Sequence, residues 1–179
     1  MVVWLGERRT FASATRISEL AAGRYTMSVA AIAPVMGTIT PCAVTYAKAR
    51  TDPLPVPVMM VHSKADDVVL WEGNTDKWYG QPGHLSVPET VAFWVSRNRA
   101  DDDPRTRSLT DAWSHDGMAI TETHYVGGTA GADVVLHTLD GVGHRWPGGA
   151  FDTSGDGKHQ AQAYDATKAI WRFFEKYSR

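Results

Sequence analysis

Apolar and polar positions along the chain fall into three patterns. Two stretches, VAAIAPVMG (29–37) and PVPVMMVH (55–62), are continuously apolar and bounded by turn residues. A strand covered on both faces reads this way, so both are expected as buried strands of a parallel sheet. The prolines of the second fall at its start, where a ladder N–H is not yet needed. ITETHYV (120–126) alternates as a half-buried strand does, and ADVVLHTLD (132–140) is expected as another strand. The third pattern is helical. SVPETVAFWVSRN (86–98) opens on Ser86, an N-cap residue, with Glu89 three positions on as its capping-box partner and Val87, Val91, Phe93, Trp94 and Val95 as the apolar face. A last helix is expected from about Gln160 to Tyr177, with Ala163, Ile170, Phe173 and Phe174 toward the core. Residues 13–22 have helix-forming composition, with Gly23 as the stop. Val2–Leu5 is short and β-prone, and the polar stretch 100–118, with Asp101, Asp102 and Asp103, reads as a solvated loop.

The order is therefore strand, helix, strand, strand, helix, strand pair, helix. Buried strands alternating with amphipathic helices predict an α/β domain over 1–179, a mostly parallel sheet flanked by helices. In such sheets chemistry sits at the carboxyl ends of the strands. Here those ends lie just after His62 and just after Asp140.

Composition narrows the function classes. A length of 179 residues suits one domain, and 43% apolar with 21% charged residues is an ordinary globular balance. The formal charge of −2 makes no electrostatic case for nucleic acid or an anionic membrane. No segment approaches the ~20 apolar residues that a membrane span needs. Cys42 is the single cysteine, so no intrachain disulfide forms, and it reads as structural. The start, MVVWLGERRT, lacks the order of a secretory signal, which allows the cytoplasm for the chain as expressed and leaves its localisation open. The His residues are scattered, with neither H-E-x-x-H nor C-x-x-C. Residues 152–157 read as a turn rather than a calcium loop, because Ala163 stands where a bidentate Glu would be. No phosphate loop or dinucleotide fingerprint occurs, so no metal or organic cofactor is expected.

Two strand-end loops carry candidate chemistry. In HSKADDVVLWEG, Asp66 follows His62 by four residues; in DGVGHRWPGG, His144 follows Asp140 by four, among Gly141, Gly143, Gly148 and Gly149. If their strands are neighbours, the carboxylate and the imidazole meet. A buried Asp holding one ring nitrogen fixes the tautomer and leaves the other nitrogen to take a proton from a nucleophile. The competing readings are a turn or cap role for Asp66 and simple exposure for His144.

From Val29 onward the chain resembles the esterase family of poly(3-hydroxybutyrate) depolymerases, feruloyl esterases and acetylxylan esterases. The resemblance lies in AAIAPVMG (30–37), PVPVMMVHSKADDVVLWEG (55–73), SVPETVAFWVSRN (86–98), ADVVLHTLDGVGHRWPGG (132–149) and DATKAIWRFF (165–174), in the family's order and spacing. It implies an α/β-hydrolase fold with Asp66 as triad acid, His144 as base, and Trp71 and Trp146 flanking the acyl site. The family's loop reads HG-x-x-D-P, against His62-Ser63-Lys64-Ala65-Asp66-Asp67 here, and its cysteines stand where this chain has Ala100 and Gly128.

Family members carry a G-x-S-x-G elbow before the AAIAP strand. This chain has none; by position the candidate nucleophile is Ser13 in FASAT, with Phe11 and Thr15 in place of the glycines. The competing reading of Ser13 is a helix N-cap, which Ser at that place suits well, and Ser18 and Ser28 are lesser candidates. The resemblance thus implies an N-terminally shortened member lacking the family's first strands. A sheet so shortened presents an open edge, and a homo-oligomer is expected unless Val2–Leu5 covers it. The expected function is hydrolysis of a carboxylic ester, polymeric or small, of the polyester, feruloyl or acetyl class. The alternatives are a catalytically inactive binding domain of the same fold, or a gene fragment without the elbow.

Overall fold

A computed structural model describes residues 2–4, 9–11, 30–49, 54–74, 83–110, 118–148 and 164–177. In chain order they form β1 (Val2–Trp4), β2 (Arg9–Phe11), β3 (Ala31–Ala33), α1 (Pro41–Lys48), β4 (Val58–Ser63), α2 (Val87–Asn98), β5 (Arg105–Ser108), β6 (Ile120–Tyr125), β7 (Val134–Leu139) and α3 (Ala166–Glu175). The expected helix over 13–22, with Ser13 and Ser18, falls outside these residues. So do Ser28, the turn at 152–157 and the start of the last helix at 160–163.

The sheet order is β2-β1-β3-β4-β7-β6-β5. Only β3–β4 and β4–β7 pair in parallel; β1–β2, β1–β3, β6–β7 and β5–β6 are antiparallel. The expectation of a mostly parallel sheet is therefore corrected: the sheet is mixed, with a parallel centre and antiparallel flanks. For β1–β2 and β6–β7 connection length accounts for the direction. Strands joined by a few residues must return antiparallel, whereas a parallel partner needs a crossover of a dozen residues or more. β6 reaches β7 through a short turn that includes the 3₁₀ segment Thr129–Gly131. A Cβ at Gly128, in that turn, would run into the Ala132 carbonyl, so this backbone takes glycine where the resembled family has cysteine.

β4 is buried along its whole length, as its unbroken apolar run predicts. On one face Met59, Val61, Val135, Ile120 and Leu139 pack against Ala169, Ile170, Phe173 and Phe174 of α3. On the other, Val58, Met60, Val134 and Leu136 pack against Val87, Val91, Trp94 and Val95 of α2. Trp94 is 1% exposed; truncating an aromatic so placed typically costs about 3–5 kcal/mol. α2 has the expected capping box: Glu89 N–H donates to Ser86 Oγ at 3.2 Å and Ser86 N–H to Glu89 Oε2 at 2.9 Å. α3 is capped by Asp165, whose Oδ1 accepts from Lys168 N–H at 2.9 Å.

Three further points differ from the sequence reading. β5 lies inside the stretch read as a solvated loop, and its four residues are exposed. As an edge strand carrying Arg105 and Arg107 it has the charged guard typical of a solvated sheet edge. α1 was not anticipated; it opens on Thr40, whose side chain accepts from Ala43 N–H, followed by Pro41 at the first turn. Cys42, read as structural, is exposed on this helix. Toward the opposite edge, which β2 forms, β1 pairs with β3, so the Val2–Trp4 backbone lies along the strand that the shortened-sheet reading left open. No helix among the described residues is long and apolar enough to cross a membrane.

Candidate active site

β4 and β7 run side by side in parallel, Val58 opposite Val134 through Ser63 opposite Leu139. Their carboxyl ends therefore deliver two loops to one place. Asp66 lies three residues beyond β4 and His144 five beyond β7. His144 Nδ1 is 3.1 Å from Asp66 Oδ2 and 3.2 Å from Oδ1. A carboxylate only accepts, so Nδ1 carries the proton and donates it to Asp66.

Asp66 is 3% exposed and its Oδ1 also accepts from Val68 N–H at 2.9 Å and Val69 N–H at 2.8 Å. Burial alone would raise its pKa; the hydrogen bonds from His144, Val68 and Val69 outweigh that and lower it. The hydrogen bond to Asp66 raises the pKa of His144 against an opposing desolvation, helped by the charges of Asp66 and Asp67. The His144 side chain is 38% exposed. With Nδ1–H committed to Asp66, the neutral ring presents an unprotonated Nε2, the arrangement a general base needs.

Two neighbours that the sequence reading did not single out shape the pair. Ser63 is buried, and its Oγ accepts from Ala65 N–H at 3.1 Å in its own loop and from Val142 N–H at 3.2 Å in the His144 loop. One hydroxyl thus ties the two loops together. Lys64 N–H adds a backbone bond to Leu139 O at 3.0 Å. His62 is fully buried, with Nδ1–H donating to Ser63 O at 3.1 Å and Nε2 lying 3.9 Å from Asp66 Oδ2 without a hydrogen-bond partner. Burial lowers its pKa, so the ring is neutral and the approach to Asp66 is no ion pair. Ser63 and Asp67 therefore both act on the pair: Ser63 fastens its two loops and Asp67 adds negative charge that acts on His144.

The two tryptophans sit on different sides. Trp71 meets His62 edge-on, ring centroids 6.0 Å apart, and packs on the α2 side of the sheet. There it lines a cavity of about 800 Å³ with Val91, Tyr125 and Leu136. Trp146 packs against the α3-side core, its indole N–H donating to Thr167 Oγ1 at 3.1 Å. The loop carrying His144 closes against α3 at Gly148, whose φ is +77° and where a Cβ would stand 2.8 Å from Tyr164 O. Glycine is the residue that tolerates both. Ser13 lies outside the described residues. Among those residues no group of three or more His, Cys, Asp or Glu side chains is placed to hold a metal ion. No protein-family model matches the chain, and no curated protein sequence matches it.

Proposed function

We propose that the chain is a carboxylic-ester hydrolase of α/β-hydrolase type that works by acyl transfer, on an ester of the polyester, feruloyl or acetyl class. The observation that carries this reading is the buried Asp66 carboxylate holding His144 Nδ1–H at the joined ends of two parallel strands. In the reaction, His144 Nε2 takes the proton of a serine hydroxyl as its oxygen attacks the ester carbonyl. Asp66 stabilises the imidazolium so formed. His144 then gives the proton to the departing alkoxide, and water repeats the cycle to release the acid. Ser13 is assigned the nucleophile by its position before the buried strand. Trp71 and Trp146 are assigned the walls of the acyl site.

A second reading, a binding domain without turnover, is favoured by the state of Ser63. The serine closest in sequence to Asp66 is buried with its oxygen occupied by two backbone N–H groups, so it is no nucleophile. Turnover of 4-nitrophenyl acetate separates the two. The esterase reading predicts hydrolysis by the wild type and its loss in His144→Ala; equal rates in the two proteins overturn it.

A further inference from the structure

On the α2 side of the sheet a cavity of about 800 Å³ opens beside α2, over β6 and β7. Ligand pockets ordinarily measure roughly 300–1,000 Å³. Val91, Val95 and Leu136 supply apolar wall, and Trp71 and Tyr125 add two aromatic rings. Asp101 and Asp102 are the charged members of the lining, which holds no Lys, Arg or His. Both are exposed, and among the described residues neither carboxylate has an ion pair or a hydrogen bond. No neighbouring cation neutralises them.

The backbone sets where these acids stand. α2 ends at Arg99, whose φ of +55° turns the chain back. Ala100 N–H then donates to Val95 O at 3.1 Å, and Asp101 N–H to Val126 O at 2.8 Å. Asp101 is thereby fixed beside the residue that follows Tyr125. Its carboxylate lies against Gly127, where a Cβ would stand 3.0 Å from Oδ2. In the β6–β7 register Tyr125 pairs with Val134 and Thr121 with Thr138. Tyr125 and Thr138, both in the lining, are thus four residues apart along the ladder, about 13 Å. Trp71 lies at the Thr138 end, since it meets His62, the β4 partner of Thr138. The cavity is long, with its acids at one end and an indole at the other.

An anion is repelled by this lining, and a bare metal ion leaves the walls unused. A protonated amine on an apolar body matches both parts. Its ammonium pairs with the carboxylates and is attracted by the aromatic ring beside them. We propose that this cavity binds a primary arylalkylamine, with its ammonium at Asp101 and Asp102 and its ring toward Trp71. The binding does not depend on the esterase reading, and its test involves no turnover.

The full chain is titrated with 4-phenylbutylamine at neutral pH and constant ionic strength, followed by methyl NMR. The neutral 4-phenyl-1-butanol, the anionic 4-phenylbutyrate and the bodiless methylamine are titrated in parallel. The proposal predicts saturable shifts at the Val91, Val95 and Leu136 methyls with the amine. It predicts binding about five- to tenfold tighter than that of the alcohol, the size expected for charge pairing at an exposed site with help from an aromatic ring. The carboxylate binds more weakly than the alcohol. In the Asp101→Asn/Asp102→Asn double variant the amine and the alcohol bind alike, and an unchanged melting temperature certifies the fold. If that variant folds poorly, the comparison of ligands on the wild type decides alone. Methyls that do not move with the amine would overturn the proposal. So would an alcohol, carboxylate or methylamine that binds as tightly as the amine, or a folded double variant that keeps the preference.

Discussion

Replacing Asp66 with Asn tests how the candidate pair is wired. The buried carboxylate accepts from two backbone N–H groups through Oδ1 and from His144 Nδ1. In Asp66→Asn the single amide oxygen must serve Val68 and Val69, whose donors are fixed by the loop. The amide nitrogen then faces His144. It cannot accept from Nδ1–H, so the ring shifts its proton to Nε2 and can no longer take one from a nucleophile. An Asp-to-Asn change of this kind in a Ser-His-Asp triad lowers turnover roughly 10⁴-fold. The same change removes a charge-assisted hydrogen bond, ordinarily about 1.5–3 kcal/mol. Because the His144 side chain is 38% exposed, solvent screening reduces this to about 1–2 kcal/mol.

The pH window of that stability follows from the shifts. His144 has a raised folded pKa, so its contribution is complete below the ordinary 6.5 and is lost as pH rises through the folded value. Asp66 has a lowered one, so its contribution is present above the ordinary 3.8 and is lost as pH falls through the folded value. Wild type and Asp66→Asn should therefore differ most between those two ordinary values, and converge toward both extremes. Thermal melts across pH measure the gap, and long-range imidazole nitrogen NMR reads the tautomer directly. If His144 keeps Nδ1–H in the variant and the melts coincide near pH 5, the wiring is wrong.

Other outcomes follow from neighbouring contacts. Ser63→Ala leaves Ala65 N–H and Val142 N–H without their shared acceptor; the expected loss is about 1–3 kcal/mol, with faster amide exchange at Val142 as the local readout. Glu122 is pulled down to about 2 by the hydrogen bond from His137 and, against burial, by Arg107. Glu122→Gln should cost about 2–3 kcal/mol at neutral pH, allowing for the exposure of Arg107. Because the folded pKa is lowered, the difference from wild type should shrink as pH falls from 4.5 to about 2; acid-dependent denaturant melts check it.

Much of the site could be read from the chain because its parts are local. The unbroken apolar run of β4 announced a strand covered on both faces, and the Ser86–Glu89 spacing announced α2. The alternation of β6 is the mark of an antiparallel strand, yet the overall expectation stayed with a mostly parallel sheet. β5 escaped because Arg105-Thr106-Arg107-Ser108 has no apolar face: it is held by pairing with β6 at a solvated edge. α1 escaped because eight residues carry too little periodicity, although Thr40-Pro41 is a helix-start signal. That Asp66 meets His144 depended on β4 and β7 being neighbours, a tertiary fact the loops alone do not encode. The roles of Ser63 and His62 are likewise products of that neighbourhood, since Ser63 bonds across 79 positions to Val142.

The most direct test of the proposed chemistry is labelling with a fluorophosphonate, followed by peptide mapping, in wild type and His144→Ala. The account predicts a covalent adduct on one serine, Ser13 by assignment, formed by the wild type and not by the variant. A wild type that stays unlabelled, or a variant labelled as fast, would contradict it.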